Sequence, residues 1–243
     1  MDTRAKVEVA ASTVTEKIEH TYEVEIKSLL GSRENAENIK LAMMRADPNT
    51  KLIAISKQLN HYFEGGNLLA LAESVAYRCL SPDKCLHFED IAKNAKTFSV
   101  RSRQKDDAVF FIVKTSVDDT TSENGISRIE FEENVTIPLE SLDALILGSG
   151  FTYQAKWSRE REEYTCRGIT VCIDKNAGYG WLVEFEKIVD EEDKIISARD
   201  EVRALMKEVG ADELSQERLE RMFKHYNEHW KEYYGTDKTF TIE

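Results

Sequence analysis

The sequence has little proline and glycine and no long run of apolar residues. Three prolines and eleven glycines in 243 residues exclude collagen-like and low-complexity chains. The longest apolar stretches, such as residues 109–113, are far too short to span a bilayer. Residues 1–11 mix charged and small side chains without an apolar centre, so we expect no secretory signal, no membrane partner and a cytoplasmic location.

Positive charge is also in the minority. The chain has 33 lysines and arginines against 45 acidic residues, which gives a formal net charge of −12. A global basic surface for nucleic acid is therefore absent, and we expect no double-stranded nucleic acid partner. Net charge does not describe a single cavity, which can be positive inside an acidic protein.

Cysteine is too sparse to form a framework. Cys79 and Cys85 are separated by five residues, and so are Cys166 and Cys172. This is not the usual spacing of zinc ligands, so we interpret all four as ordinary reduced thiols.

Hydrophobic periodicity predicts both strands and helices. Alternation predicts strands over residues 21–30, 50–64, 97–104, 108–117, 126–135, 151–166, 169–174 and 181–189. Helical spacing predicts helices over residues 33–46, 67–79, 87–95, 139–147, 198–209 and 215–234. We interpret the apolar and aromatic stripe of the last helix as core. The expected architecture is α+β, one domain over residues 1–243 in which helices cover a large antiparallel sheet.

Charged residues recur at alternate positions in strand after strand, which places them on one face of the sheet. The series comprises Glu23, Glu25 and Lys27; Arg101 and Arg103; Arg128, Glu130 and Glu132; Arg159 and Arg161; and Glu184 and Glu186. The intervening apolar face needs helices to cover it. The charged face is then either solvated and laced with salt bridges, or the interior of a closed barrel, and the residues alone leave both open. A closed cavity with these residues implies a polyanion and a divalent metal, because cations clamp phosphates and carboxylates hold hard ions.

The residues 23–27, Glu-Val-Glu-Ile-Lys, resemble the ExExK signature of the CYTH proteins, also called triphosphate tunnel metalloenzymes. A single ExExK is a weak signal, but further blocks follow in the family's order. These are residues 58–64, the arginine pair at 101 and 103, the strand 111–114 that ends in lysine, the RxExE strand 128–132, the block 159–164, and Asp174, Gly178, Gly180, Glu184 and Glu186. The ordered set covers about residues 21–190.

The resemblance implies an eight-stranded antiparallel β-barrel tunnel with a charged interior and outer helices. Its core would be residues 21–190, with inserted helices at 67–95 and C-terminal helices at 198–234. It also implies Mg²⁺ or Mn²⁺ as cofactor. The implied metal-binding set is Glu23, Glu25, Glu130, Glu132, Asp174, Glu184 and Glu186. The implied triphosphate clamps are Lys27, Arg101, Arg103, Lys114, Arg128, Arg159 and Arg161. Lys27, Glu23 and Glu25 are the implied catalytic residues.

The activity expected from the resemblance is hydrolysis of an inorganic, thiamine or nucleoside triphosphate. The expected partner is a small molecule that contains a triphosphate, and a homodimer is left open. A class IV adenylate cyclase, which makes cyclic AMP and pyrophosphate from ATP, is an alternative that uses the same residue types. A catalytically silent module that binds polyphosphate or a nucleotide is a further alternative.

The inserted residues 67–95 allow two interpretations. Their position between two tunnel strands leads to the hypothesis that they cap one mouth of the tunnel and help select the substrate. The alternative is packing against the outside of the barrel, because Leu68, Leu71 and Val75 form an apolar stripe.

Overall fold

The computed structural model describes residues 22–116 and 128–242 and contains one eight-stranded sheet. Its strands are β1 (Tyr22–Leu29), β2 (Lys51–Gly65), β3 (Thr97–Lys105), β4 (Ala108–Ser116), β5 (Arg128–Val135), β6 (Phe151–Cys166), β7 (Ile169–Asn176) and β8 (Gly180–Val189). All neighbours are antiparallel, in the order β1-β8-β7-β6-β2-β3-β4-β5. Residues 1–21, 117–127 and 243 lie outside the described part. These residues include the start of the chain, where no secretory signal is expected, and the ends of three predicted strands.

Six helices accompany the sheet in the described residues. They are α1 (Arg33–Ala46), α2 (Leu68–Cys79), α3 (Pro82–Asn94), α4 (Leu139–Gly148), α5 (Ile195–Val209) and α6 (Gln216–Tyr233), with a single 3-10 turn at Glu192–Lys194. Helix α3 begins five residues before the predicted start at residue 87. The reason is that Pro82 does not interrupt the helix: it occupies the first turn, where a missing N–H costs nothing. None of the described helices has both the length and the apolar character needed to cross a membrane.

Local sequence signals fix two of the connections. The Ser32 Oγ accepts a hydrogen bond from the backbone N–H of Asn35 at 3.1 Å and so caps the start of α1. The turn between β6 and β7 consists of Arg167 and Gly168, which have φ values of 51° and 73°. Two consecutive positive φ angles are typical of a tight two-residue hairpin, whose twist matches that of the flanking strands.

The sheet curls until its two edge strands face each other. Strands β1 and β5 come into contact, although the described hydrogen-bond ladders do not join them. Across this gap Lys114 Nζ on β4 lies 2.6 Å from Glu23 Oε2 on β1. The result is a curled half-barrel with a concave inner face, called the lumen below. The predicted α+β fold, with antiparallel strands, a charged interior and outer helices, is confirmed.

Helices cover the convex face of the sheet in two groups. Helices α1 and α5 pack with the outward residues of β1, β7 and β8, among them Ile26 and Phe185. Helices α2, α3 and α4 pack with the outward residues of β3, β4 and β5, among them Phe111 and Phe131. Leu71 of α2 is fully buried in this second cluster. The apolar stripe of the inserted helices is therefore used outside the barrel, which favours packing over the cap hypothesis.

One polar cluster lies within the convex apolar layer and is centred on Asp143 of α4. Its carboxylate accepts hydrogen bonds from Ser102 Oγ at 2.5 Å and Tyr153 Oη at 2.7 Å, and His61 Nδ1 lies 2.6 Å away. The other ring nitrogen of His61 lies 2.8 Å from the hydroxyl of Tyr234, just beyond α6. Burial alone would raise the pKa of Asp143, but these hydrogen bonds outweigh it and hold the pKa below its usual value.

Candidate active site

The charged residues of the sheet meet on its concave face. Arg103 on β3 pairs with Glu132 on β5 at 3.2 Å, although β4 lies between the two strands. Arg159 on β6 likewise reaches Glu184 on β8 at 3.6 Å across β7. Long side chains span a whole strand in this way where a sheet curves around them. The charged alternation therefore lines the concave lumen of the half-barrel and does not lie on an open, solvated face.

Strand β1 shows how the sequence sorts the two faces. Val24 and Ile26 are fully buried beneath the helices, and the alternating Glu23, Glu25 and Lys27 are half-buried on the lumen side. Since side chains alternate across a strand, the apolar residues that anchor β1 to the helices force the charged ones inward. The ammonium of Lys27 pairs with Glu25 and lies 3.4 Å from Glu184.

Three carboxylates, called the acidic cluster below, converge between β1 and β8. Glu23, Glu25 and Glu186 each offer an oxygen within 4.8 Å of the others. Burial, reinforced by the nearby carboxylates of Glu23 and Glu184, raises the pKa of Glu186 to about 7, against the lowering effect of Arg161. Oxygen ligands at this spacing suit a hard divalent cation, which would also relieve the repulsion.

Cations from β3, β4 and β6 face the lumen around this cluster. Arg103 donates from Nε to Asn60 Oδ1 at 2.8 Å, and Arg101 lies over the ring of Tyr62, 4.8 Å from its centroid. Burial and the neighbouring charge of Arg101 lower the pKa of Arg103 to about 10, so this guanidinium is still charged at neutral pH. Five cationic side chains in one cavity are suited to a polyanion; they are Arg101, Arg103, Lys114, Arg159 and Arg161.

Asp174 and Glu184 form a buried ion network with two arginines. Arg161 binds Asp174 in a bidentate manner, with Nε–Oδ1 and Nη2–Oδ2 distances of 2.7 Å, and it also pairs with Glu184. Arg159 Nη1 lies 2.8 Å from the same Asp174. Burial alone would raise the pKa of Glu184, but Lys27 and the two arginines outweigh it and hold the pKa well below its usual range. Glu184 is therefore ionised, and both carboxylates are paired with arginines of the protein itself.

The seven predicted metal ligands thus fall into different environments. Glu23, Glu25 and Glu186 come together, whereas Glu132, Asp174 and Glu184 are engaged with arginines. Residues 128 and 130 lie on β5, opposite Ser116 and Lys114 of β4, but the side chains of Arg128 and Glu130 lie outside the described part. The other predicted triphosphate clamps lie in the lumen; they are Lys27, Arg101, Arg103, Lys114, Arg159 and Arg161.

Sequence reasoning missed the lumen face of β2. Gln58, Asn60 and Tyr62 alternate there, and the side-chain oxygens of Gln58 and Asn60 accept hydrogen bonds from Arg159 and Arg103. Burial alone would raise the pKa of Tyr62, but the surrounding cations, led by Arg101, lower it. The same alternation that revealed the charged strands was present in this segment, with amides and a phenol in place of charges.

A small cavity, called the aromatic cavity below, adjoins the acidic and basic groups where α6 meets the sheet. It has a volume of about 100 Å³. Its lining combines Lys27, Arg159 and Glu184 of the lumen with Tyr62, Trp157, Tyr179 and Phe223, together with Asn60, Asn176, Leu182 and Leu219. Phe223 belongs to the aromatic stripe of the last helix that the sequence predicts to be core, but this residue is 37% exposed and lines the cavity.

The comparisons with known proteins agree with this architecture. The sequence profile of the CYTH domain family matches residues 85–219, more than half of the chain, although the match begins after β1 and β2. No protein of curated function matches the chain in sequence.

Solved structures share the fold at low sequence identity. A protein from Pyrococcus horikoshii superposes with a TM-score of 0.57 and 19% identity over 84% of this chain and 99% of its own. A conserved hypothetical protein from Pyrococcus furiosus gives 0.55 and 20%, over 78% and 91% of the two chains. A protein from Vibrio parahaemolyticus, whose description proposes an adenylate cyclase, gives 0.56 and 13%, over 84% and 98%.

Proposed function

The chain belongs to the CYTH domain family, and from that premise we propose that it is a divalent-metal-dependent phosphohydrolase that cleaves a triphosphate in its lumen. The substrate would be an inorganic, nucleoside or thiamine triphosphate. We propose hydrolysis in preference to cyclisation because attack by water on the terminal phosphorus needs only the charged groups of the lumen.

The observation that carries the proposal is the contact between the acidic cluster and the cations that face it. Lys114 reaches Glu23 at 2.6 Å, and Arg161 Nη1 lies 3.8 Å from Glu186. A triphosphate held by the cations would therefore lie directly beside the three carboxylates. This arrangement supports phosphoryl transfer, in which catalysis consists largely of positioning and of neutralising charge.

Glu23, Glu25 and Glu186 are the residues that would hold the metal, either Mg²⁺ or Mn²⁺. Their fit rests on three oxygens within 4.8 Å of one another and on the raised pKa of Glu186, which results first from burial and then from the carboxylates of Glu23 and Glu184. When bound, the cation supplies positive charge to the phosphate oxygens.

The chain's own cations would bind and orient the triphosphate. The planar guanidinium groups of Arg101, Arg103 and Arg159 can each engage two phosphate oxygens, whereas Lys27 and Lys114 act as point charges. Because Arg103 and Arg159 are already fixed by Asn60, Gln58 and Asp174, little reorganisation of these two groups is needed as charge develops on the transferred group.

A product assay tests the proposal. The full chain is incubated with inorganic triphosphate, ATP and thiamine triphosphate, first with Mg²⁺ and then with Mn²⁺. Orthophosphate released from any of them, and abolished by EDTA, is the expected result. If the products are cyclic AMP and pyrophosphate, the protein is a cyclase and not a hydrolase. If the triphosphates bind without turnover, the protein is a catalytically silent binding module.

A further inference from the structure

We propose that Gln58 and Asn60 of β2 are positioning residues for two phosphate-binding arginines, and that they must be uncharged to play this role. Their amide oxygens hold Arg159 and Arg103 by one nitrogen, and so direct another nitrogen of each guanidinium at the triphosphate without cancelling its positive charge. The inference rests on the proposed function for the place of the triphosphate. It assigns a role to two residues that do not belong to the charged pattern of the sheet.

Arg103 and Arg159 are held in the same way, although they lie on different strands. In each, Nε donates a hydrogen bond to an amide oxygen of β2, at 2.8 Å to Asn60 and at 2.9 Å to Gln58. In each, Nη1 also lies beside a carboxylate, 3.2 Å away for Arg103 and 2.8 Å away for Arg159. Because the guanidinium is planar and rigid, contacts at two of its three nitrogens fix the direction of the third.

The third nitrogen, Nη2, is the one that these arginines can offer to a ligand. Within residues 22–116 and 128–242, Nη2 of neither Arg103 nor Arg159 donates a hydrogen bond. Neither Nη2 is among the fully buried side-chain atoms that have no partner in this part of the chain, so both remain accessible from the lumen. Each carries two N–H groups, which can bind one or two phosphate oxygens.

The amide of Gln58 is itself oriented by its neighbour on the same strand. Its Nε2 donates to the hydroxyl of Ser56 at 3.1 Å, which turns the oxygen end of the amide towards Arg159. Ser56, Gln58 and Asn60 are only 2–4% exposed. These acceptors are therefore fixed parts of the lumen wall, as a positioning role requires.

The choice of an amide and not a carboxylate has a physical reason. A carboxylate would hold an arginine more tightly, because a hydrogen bond between two charged groups is about twice as strong as one between neutral groups. The surroundings would also tolerate a negative charge. Burial alone would raise the pKa of Tyr62, the next lumen residue of β2, but the cations around it, led by Arg101, lower that pKa. An amide fixes the arginine and leaves its positive charge to the phosphates.

Asn60→Asp tests the need for a neutral acceptor, because it keeps the shape and the accepting oxygen and adds only charge. We expect it to raise the Kd for imidotriphosphate, a non-hydrolysable analogue of inorganic triphosphate, by about 30-fold. Asn60→Ala, which removes the acceptor, should raise this Kd by about threefold. Stability should follow the opposite order, with Asn60→Asp unfolding at a higher urea concentration than Asn60→Ala. A residue that only stabilised the fold would give the same order in both measurements.

Gln104→Glu is the matched control. Gln104 follows Arg103 on β3 and donates to the backbone carbonyl of Asp106 at an exposed site. Since neighbouring residues of a strand face opposite sides, Gln104→Glu adds the same charge outside the lumen and should leave the Kd unchanged. Gln58→Glu repeats the test at Arg159, where we expect the same loss of affinity, and it decides the matter if the Asn60→Asp protein does not fold.

The outcomes separate this inference from the proposed function. If the wild type binds imidotriphosphate in the presence of Mg²⁺ and Asn60→Asp binds it equally well, the inference is wrong while the triphosphate site stands. If Gln104→Glu weakens binding as much as Asn60→Asp does, the effect is one of overall charge, and the inference is again wrong. If the wild type does not bind imidotriphosphate, the proposed function itself fails, and the positioning role fails with it.

Discussion

Each face of the sheet has a polar cluster with a carboxylate at its centre, Asp143 on the convex face and Glu186 on the concave face, and the pKa values of these two groups move in opposite directions. On the convex face, the hydrogen bonds to Asp143 hold its pKa below the usual value. On the concave face, burial and two neighbouring carboxylates raise the pKa of Glu186 to about 7. The carboxylate of Asp143 is satisfied by hydrogen bonds within the protein, whereas Glu186 is shifted towards its neutral form. Under the proposed function, the lumen cluster is therefore the one that would bind an external cation.

The largest expected effect comes from neutralising one member of the acidic cluster. Glu25→Gln, or Glu23→Gln, should lower turnover by about 1,000-fold or more, because a metal ligand is lost and the charge that positions the triphosphate changes. The free energy of unfolding should stay the same or rise, since repulsion within the cluster is relieved. Steady-state kinetics and urea unfolding measure the two effects separately.

Glu208→Gln is the control for that experiment. Glu208 pairs with Arg167 on the surface and is exposed, so its loss should leave turnover unchanged. If Glu23→Gln and Glu25→Gln both fail to fold, these residues are structural, and the contrast between the two faces is lost.

A second test concerns the helices that cover the convex face. Leu71→Ala should lower the free energy of unfolding by about 3 kcal/mol, because it leaves a cavity in the fully buried cluster beneath α2. The ranking of inorganic triphosphate, ATP and thiamine triphosphate should not change. Leu69→Ala on the same helix, where the side chain is exposed, should cost far less. A changed ranking in Leu71→Ala would revive the hypothesis that the inserted helices cap the tunnel.

The sequence predicted the elements with strong periodicity and failed where contacts are made between distant segments. Helix α1 and strand β6 begin and end at the predicted residues, because Ser32 and the Arg167-Gly168 turn are local signals. The charged face was predicted from alternation alone. Which carboxylates cluster could not be predicted, because it depends on which strands pair and in which register. Arg161 lies opposite Asp174 on β7, and Glu186 lies opposite Glu25 on β1, a strand far away in the sequence. The aromatic cavity was missed because α6 reaches the sheet from far along the chain.

On the convex face, the contribution of Asp143 to stability should depend on pH. Asp143→Asn should cost about 2 kcal/mol at pH 7, because two or three donors lose a charged acceptor. The pKa of Asp143 is lowered from its ordinary 3.8, so the folded state binds the proton less tightly than the unfolded chain. The contribution of the ionised Asp143 carboxylate to the free energy of unfolding is therefore complete above pH 4 and disappears as the pH falls through the lowered pKa. The stability difference between wild type and Asp143→Asn should shrink on going from pH 7 towards pH 2, with activity at pH 7 unchanged. A difference that does not depend on pH would contradict the assignment.

The smallest expected effect tests whether the lumen cations act through shape as well as charge. Arg103→Lys keeps the positive charge but loses the planar guanidinium group that Asn60 orients. The Kd for imidotriphosphate at pH 7 should therefore rise about tenfold. Burial and Arg101 lower the pKa of Arg103 to about 10, and the same two causes would lower that of an ammonium group, whose ordinary pKa is about 10.4. The substituted lysine should therefore lose charge as the pH rises from 7 to 9, and its Kd should increase further while that of the wild type is nearly constant. Arg203→Lys, at an exposed pair with Glu213, should bind as the wild type does at both values. Equal affinities for Arg103→Lys and wild type across this range would show that Arg103 does not touch the phosphates, and calorimetric titration at pH 7 and pH 9 decides the matter.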